Sequence, residues 1–409
     1  MRTFRQGPLR GEISVPGDKS ISHRALLLGA LSPQPLKISN LNPGRDVFAT
    51  AQALQAIGAG SGALRDPSGV IDCLNSGSTA RMMMGVITGA NLSATFDGDE
   101  SLRKRPMEPV AAHLRAFGAK IETADGKMPV RVRGTAAPES RRIILVSPSA
   151  QIKTSLLLAA AYSGTPIEIL GDKGSRDHTE RLLQYFGADI AYDRSKVTLR
   201  SMPSAFKDVV VAGDFSAAAF FIVAASVSPG SELVIRDCGV NPSRTGLLDA
   251  LRMMGADIAI ENERTVSGEP VGDIRVKPAA LRGADISADV ALRAIDEIVV
   301  LAVAAAFANG RTRITGVREL RTKESDRIAA IERLLAAAGI AVEILPNGIA
   351  IDGGAPRANG ATVDTHGDHR TAMAAAALAA GAGTLAIDDE ACIAVSFPAF
   401  IEQMERVQA

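Results

Sequence analysis

Residues 15–28 read VPGDKSISHRALLL and residues 211–224 read VAGDFSAAAFFIVA. Each opens on a Gly-Asp turn and runs into a stretch so rich in Ala, Leu, Ile and Phe that no face of it suits water, the pattern of a helix buried on most sides. Four further stretches have the same build: STARMMMGVITG (78–89), AQIKTSLLLAAAYSG (150–164), DEIVVLAVAAAFANG (296–310) and HRTAMAAAALAAGAG (369–383). After each of the six comes a turn and a short segment that reads as a strand, namely LKISNL, NLSATF, PIEIL, ELVIRD, TRITGV and TLAID. A second, amphipathic type of helix alternates with these and stops at glycine: Leu54 to Gly58, Leu114 to Gly118, Leu182 to Gly187, Leu251 to Gly255 and Leu334 to Gly339. Glycine just past the last apolar turn takes the left-handed conformation that closes a helix. The pattern predicts an α/β protein made of six β-α-β-α-β units, one every roughly 60 to 85 residues. The hexapeptides at 15–20 and 211–216 split the six into halves of three and mark where the chain crosses between two similar domains. The first domain is expected at 15–212, the second at 213–409 completed by residues 1–14.

Composition narrows the function. Of 409 residues, 45 are Lys or Arg and 45 are Asp or Glu, so the formal charge is zero, which argues against a nucleic-acid partner. Aromatic residues are only 4% and Trp is absent, leaving little to stack on bases. Cys73, Cys238 and Cys392 are far apart and form no CxxC pair, so neither a disulfide framework nor a zinc ribbon is indicated, and a reducing cytoplasm is expected. The start MRTFRQGPLRGEISV has no apolar signal core, and no apolar run approaches the ~18 residues needed to span a bilayer. The chain reads as soluble and unprocessed, acting on small molecules with no membrane partner; a monomer is the expectation, although the sequence carries no signal for oligomeric state.

The cations are oddly placed. Helix N-termini carry partial positive charge and favour Asp or Glu in the first turn. Here Lys19 and Arg24 open the first Ala/Leu-rich helix, Arg81 the second, Lys153 the third, and His369 with Arg370 the sixth. The other helix set shows the same habit at Arg45, Arg103-Lys104-Arg105, Arg176, Arg244, and Arg321 with Lys323 and Arg327. A rule broken at equivalent points of a repeat signals function, because an anionic ligand reverses the sign of the effect. If these helix ends face the other domain, the ligand lies in the interdomain cleft. The competing structural account is local pairing, as Arg45-Asp46, Arg176-Asp177 and Glu324/Arg327 would allow. In the first account the acids are largely spread over the surface and a small positive focus hides inside a neutral total.

Loop Asn75-Ser76-Gly77-Ser78-Thr79 sets a glycine between hydroxyls ahead of a helix, which lets backbone N–H groups approach phosphate. Carboxylates beside the cations are candidates for proton transfer: Asp296 at the start of IVVLAVAAAFA, and Glu324 between Lys323 and Arg327, two cations four apart on what reads as one helix face. No metal site is expected, since His366 and His369 lack further ligands, and no GxSxG marks a nucleophile elbow.

The stretches PGDKSISHRALLLGAL, LNSGSTAR, DESLRKRPM, SPSAQIKTSLLLAA, SRDHTE, GDFSAAAF, NPSRTG, ELRTKESDR, THGDHRTAM and SFPAF resemble, in order and over nearly the whole chain, the 5-enolpyruvylshikimate-3-phosphate synthase family. The resemblance implies two similar domains, each a three-fold repeat arranged as an inside-out α/β barrel, with the active site in the interdomain cleft and no cofactor or metal. It implies transfer of the enolpyruvyl group of phosphoenolpyruvate to the 5-hydroxyl of shikimate 3-phosphate, with release of phosphate through a tetrahedral intermediate. By motif, Lys19, Ser20, Arg24, Ser149, Ala150, Gln151, Arg176, Asp296 and Lys323 correspond to the shikimate 3-phosphate site. Lys19, Gly77, Arg105, Gln151, Arg327 and Arg370 correspond to the phosphoenolpyruvate site. Lys19, Asp296 and Glu324 are the implied catalytic residues: Asp296 takes the proton of the attacking hydroxyl and Glu324 exchanges a proton with the methylene carbon. Neighbouring cations should make Asp296 a weak base in the empty site, and bound anions should restore its basicity.

Two departures stand out: Val395 replaces a lysine common in the tail motif, and the loop reads NSGST rather than NAGTA. Gly77 is kept where glyphosate-insensitive relatives carry alanine, so inhibition by glyphosate is expected. The rival readings are the sister transferase acting on UDP-N-acetylglucosamine, which has PG-x-KN at the first crossover and a loop cysteine that residues 101–106 lack, and a non-catalytic phosphometabolite-binding protein.

Overall fold

Helices form at all six Ala-rich stretches: α1 (Lys19–Gly29), α2 (Gly77–Gly89), α3 (Ala150–Ser163), α4 (Phe215–Val227), α5 (Ile298–Phe307) and α6 (His369–Ala382). These assignments come from a computed structural model, which describes residues 1–60, 62–139, 141–172, 174–323 and 325–408. Five of the six begin on a side chain that accepts a first-turn backbone N–H, namely Asp18, Ser76, Ser149, Asp214 and Asp368. None has an acid in its first turn. In α4 and α5 burial is continuous from Phe215 to Ser226 and from Ile298 to Ala306, as expected of helices with no polar face.

The second helix type spans Arg45–Ala56, Glu108–Phe117, His178–Tyr185, Gly246–Met253 and Arg327–Ala336. All five end alike. The glycine takes positive φ (Gly58, Gly118, Gly187, Gly255, Gly339), and the next N–H reaches back to the carbonyl five residues earlier at 2.9–3.0 Å: Ala59 to Leu54, Ala119 to Leu114, Ala188 to Leu183, Ala256 to Leu251 and Ile340 to Leu335. This is the Schellman closure.

The repeat carries one strand more than the sequence pattern predicts. In four sheets a short strand lies parallel to the strand that follows the Ala-rich helix, and a hairpin then adds two antiparallel strands, giving β-α-β-α-β-β. The sheet orders are 71–72, 93–97, 127–133, 120–124; 142–144, 167–170, 196–199, 190–192; 10–14, 232–239, 269–277, 257–266; and 285–286, 310–315, 348–353, 342–345. Strand Lys127–Arg133 alternates exposed and buried along its length, so this sheet shows one face to water and one to helices. The remaining two sheets are reduced to Val209–Val210 beside Ile38–Ser39, and to the order 2–4, 383–387, 358–363. Helices lie inside and sheets outside, but the sheets stay separate, and among the described residues none closes into a barrel.

The chain divides into two compact units. The first is Gly17–Val211 with Thr265–Glu269; the second is Met1–Pro16, Ala212–Arg264 and the chain from Pro270 onward. Two strands explain the crossings. Arg10–Ser14 precedes α1 in sequence but pairs with the strand after α4, whereas Val209–Val210 precedes α4 but pairs with the strand after α1. The hairpin tip Thr265–Glu269 also groups with the first unit, where Glu269 Oε1 lies 2.8 Å from His178 Nδ1 and Ser267 Oγ accepts the Val210 N–H at 2.9 Å.

In the first unit α2 crosses α3 with no room for side chains at the contact. A Cβ on Gly85 would stand 2.1 Å from the Ser155 carbonyl oxygen, and one on Gly89 2.2 Å from that of Ala159. In the second unit Phe220, Phe221, Phe397 and Phe400 interlock edge-on or tilted, with ring centroids 5.3–6.2 Å apart, and Phe221→Ala is expected to cost about 3–5 kcal/mol. Among the described residues no helix is long and apolar enough to cross a membrane.

Candidate active site

In the first unit the N-terminal turns of α1, α2 and α3 are tied into one polar network. Arg24, 2% exposed, donates from Nε to Thr179 Oγ1 (2.7 Å), from Nη2 to Thr154 Oγ1 (2.8 Å) and from Nη1 to the Ser20 carbonyl (2.8 Å). Burial brings its pKa down to about 10, with Glu180 opposing. Lys19 Nζ is 2.8 Å from Asp46 Oδ2, and the Asp46 carbonyl accepts from Thr79 Oγ1 at 3.1 Å on α2. Gln151 joins α3 to α2, its Oε1 accepting from Arg81 Nη1 (2.7 Å) and its Nε2 donating to Ser78 Oγ (3.1 Å). Ser149 caps α3, with Ala150 its first residue, and Oγ of Ser149 accepts the Ile152 N–H. Arg105 donates to Asn75 Oδ1 at 2.5 Å. A Cβ on Gly77 would meet Arg81 Nη1 at 3.1 Å and Arg105 Nη1 at 3.3 Å, so two guanidiniums flank the helix start. Arg176 is half-buried and close enough to Arg24 to lower its pKa by repulsion.

Deeper in this unit lie Lys153, expected at the start of α3, and His23, which the sequence reading did not single out. Lys153, 1% exposed, sits 2.8 Å from Asp172 Oδ2 and 2.6 Å from Glu180 Oε1. Burial alone would depress its ammonium, but the Glu180 and Asp172 carboxylates raise it. His23 contacts Thr50 Oγ1 (2.7 Å), which contacts Thr79 Oγ1 (2.7 Å), which lies 2.8 Å from Ser76 Oγ, so a hydroxyl chain runs from a buried imidazole to the loop before Gly77. Burial, then the charges of Lys19 and Arg24, hold the His23 pKa at about 3.

In the second unit the cations meet carboxylates. Arg327, 1% exposed, donates from Nε to Asp368 Oδ2 at 2.9 Å, and Ser325 Oγ donates to the same oxygen at 3.0 Å. Asp368 Oδ1 meanwhile accepts the Arg370 N–H at 2.9 Å, so one carboxylate fixes the start of α6 and the head of Arg327 together. Asp296 Oδ1 lies 3.6 Å from Arg327 Nη1 and 3.9 Å from Arg370 Nη2, and its side chain remains 19% exposed. Arg370 Nη1 donates to the Asp296 carbonyl at 2.9 Å. Three of the sequence-derived residues thus gather at one point: Asp296, Arg327 and Arg370. Glu324 lies outside the described residues.

Several expectations are corrected. Lys323 and Arg327 do not share a helix face. Lys323 is extended (φ −82°, ψ −153°) after the 3-10 turn Arg318–Thr322, because Asp326 caps the next helix by accepting the Ile328 and Ala329 N–H groups, and Lys323 Nζ instead meets Glu319 at 2.7 Å. Partners from further along the chain are added to the neighbours the sequence suggested: Asp46 meets Lys19, Asp177 meets Arg181 and Arg327 meets Asp368, while the Glu324/Arg327 pair lies outside the described residues. Arg103 and Lys104 close the helix Glu100–Lys104 rather than opening it, and pair with Asp97 and Glu100 at the surface. Nor are the acids all superficial, since Asp46, Asp172, Glu180, Asp214, Glu297 and Asp368 are buried among the cations. His366 is exposed beside Asp364 whereas His369 is buried, so the H-x-x-H pair diverges.

The sequence profile of the family described as EPSP synthase (3-phosphoshikimate 1-carboxyvinyltransferase) matches residues 4–404. The chain belongs to the EPSP synthase family. Among curated relatives, the 3-phosphoshikimate 1-carboxyvinyltransferase of Syntrophotalea carbinolica is 46% identical, covering 98% of this chain and 97% of its own. That of Anaeromyxobacter sp. (strain Fw109-5) is 44% identical over 98% and 96%. A solved EPSP synthase from Acinetobacter baumannii superposes with a TM-score of 0.86 at 34% identity, over 100% of this chain and 98% of that one. The enolpyruvyl transferase NikO from Streptomyces tendae, at 17% identity and a TM-score of 0.78 over 99% and 96%, shares the fold.

For this EPSP synthase family member, the partners that sequence reasoning did not join to Arg24 and Arg327 are Thr154, Thr179 and Asp368. Arg24 lies 155 residues from Thr179 and 130 from Thr154, so no local pattern could join them. Asp368 did carry a signal, an acid directly before a helix that begins with His369 and Arg370.

Proposed function

We propose that this chain transfers the enolpyruvyl group of phosphoenolpyruvate to the 5-hydroxyl of shikimate 3-phosphate and releases phosphate. The observation that carries this reading is the full-length similarity to curated 3-phosphoshikimate 1-carboxyvinyltransferases. The chemistry fits the residues. Oxygen attacks C2 of phosphoenolpyruvate while C3 receives a proton, and the reverse proton loss at C3 accompanies breakage of the C–O bond to phosphate. One base and one acid are required. The second unit supplies Asp296 as the proton acceptor, its orientation supported by the nearby Arg327 and Arg370 guanidiniums. Glu324 is assigned the methylene proton.

The first unit supplies fixed positive charge. Lys19, Ser20, Arg24, Ser149, Ala150, Gln151 and Arg176 take shikimate 3-phosphate, together with Asp296 and Lys323. Lys19, Gly77, Arg105, Gln151, Arg327 and Arg370 take phosphoenolpyruvate. Two hydroxyls and a carbonyl hold Arg24 in place without cancelling its charge. We further infer a cytoplasmic monomer. The compartment is supported by Cys73, Cys238 and Cys392, all buried free thiols, and gel filtration with light scattering reads the oligomeric state.

Phosphate release measured with each substrate alone and with both tests the reaction. Release that requires both is expected. Release with phosphoenolpyruvate and UDP-N-acetylglucosamine instead, or with neither acceptor, overturns the proposal.

A further inference from the structure

A second buried ion pair stands directly behind Arg370, and the proposed chemistry assigns it no role. Arg244 Nη1 is 2.9 Å from both carboxylate oxygens of Glu297. The two side chains are 4% and 0% exposed. Ser216, at the start of α4, bridges the pair to Arg370. Its hydroxyl donates to Glu297 Oε1 at 2.5 Å, accepts from Arg244 Nη2, and accepts from Arg370 Nη1 at 3.0 Å. A serine hydroxyl has one hydrogen and two lone pairs, so all three capacities are filled and its orientation is fixed. Arg370 Nη1 has two hydrogens, and both are committed, one to Ser216 Oγ and one to the Asp296 carbonyl at 2.9 Å. Among the described residues Nε and Nη2 of Arg370 make no hydrogen bond; Nη2 only approaches Asp296 Oδ1 at 3.9 Å.

The charge pattern says what this arrangement achieves. Glu297 Oε1 is 3.6 Å from Arg370 Nη1, close enough to compete for the guanidinium if it were unpaired. Arg244 neutralises it from behind. A carboxylate in a dry interior is thereby kept as a neutral pair, and Arg370 is held by a hydroxyl and a carbonyl, which restrain direction without cancelling charge.

We propose that Arg244, Glu297 and Ser216 are positioning residues for Arg370, locking its Nη1 edge so that the Nε and Nη2 edge stays charged and oriented for the phosphoenolpyruvate anion. This rests on the assignment of Arg370 to phosphoenolpyruvate, and the test separates the two.

Steady-state kinetics with both substrates are compared for Glu297→Gln, Ser216→Ala, Arg370→Lys and the double variant Glu297→Gln/Arg370→Lys. Glu297→Gln keeps the shape and removes the charge. It is expected to raise KM for phosphoenolpyruvate about tenfold, the scale of one charge-assisted hydrogen bond, with KM for shikimate 3-phosphate within about twofold. Ser216→Ala leaves the ion pair intact, so it reports even where Glu297→Gln folds poorly, and a rise of about threefold to tenfold in the same constant is expected. Because Glu297 acts through Arg370, the double variant should be no worse than Arg370→Lys alone. If Arg370→Lys leaves KM for phosphoenolpyruvate unchanged, the assignment of Arg370 is wrong. If Arg370→Lys raises it while Glu297→Gln and Ser216→Ala only lower the melting temperature, or if the effects of Glu297→Gln and Arg370→Lys multiply, the positioning role is overturned on its own.

Discussion

The two units repeat one architecture but fix two buried arginines, Arg24 and Arg327, by opposite means. In the first unit Arg24 is fixed by two threonine hydroxyls and a main-chain carbonyl. In the second, Arg327 is fixed by Asp368, and Asp296 stands between Arg327 and Arg370. Neutral partners orient a guanidinium and leave its charge for a ligand, whereas carboxylate partners cancel charge and leave a reactive acid in a defined place. Arg24 thus keeps its charge in one unit, whereas Arg327 in the other is matched by Asp368 beside Asp296.

Removing one partner from each kind of support tests the contrast most strongly. Asp368→Asn leaves the buried Arg327 guanidinium without its carboxylate and is expected to cost about 3–5 kcal/mol. Thr179→Val takes one neutral acceptor from Arg24 and is expected to cost about 1–3 kcal/mol. Urea unfolding of both variants measures the difference; equal losses would erase the distinction between the two supports.

A second break exploits His23, which lies in the first unit only. Its folded pKa of about 3 is far below its ordinary value, so the unfolded chain binds a proton that the folded chain refuses. The stability this group contributes is intact above pH ~6.5 and is lost as pH falls towards 3, by up to about 1.4 kcal/mol per pH unit. His23→Gln should flatten the dependence of the urea midpoint between pH 7 and 4.5, and an unchanged slope would mean that His23 is protonated in the folded chain.

The smallest effect is expected at Gly77. A methyl group there meets the Arg81 and Arg105 guanidiniums at 3.1 and 3.3 Å, contacts that flexible side chains relieve by shifting a few tenths of an ångström. Gly77→Ala should therefore raise KM for phosphoenolpyruvate only about twofold to fivefold, less than one lost hydrogen bond, while weakening glyphosate inhibition by a larger factor. Equal effects on substrate and inhibitor would show that the crowding does not discriminate.

The parts of this architecture that could be read from sequence are those written locally. Six Ala-rich helices announce themselves by having no polar face, and five glycines mark helix ends that the backbone closes identically. The extra strand of the four larger sheets is not written in the helix pattern, although the turns that lead to it are visible. Asp125-Gly126 and Ser267-Gly268 both take positive φ at hairpin corners, and a two-residue turn of this kind joins two strands rather than ending one. The cations were legible as exceptions to the helix dipole. Their partners were not, because Arg24 finds Thr179 and Arg244 finds Glu297 only after the chain has folded. Spacing misled at Lys323 and Arg327, where the Asp326 cap starts the helix between them.

Asp296→Asn tests the central claim most directly, because the amide preserves shape and removes the base. The account predicts a kcat lower by about a thousandfold, within the usual contribution of a general base, with both KM values within about threefold of the parent. A variant that keeps its kcat, or that loses substrate binding in proportion to turnover, would contradict the division of labour between the two units.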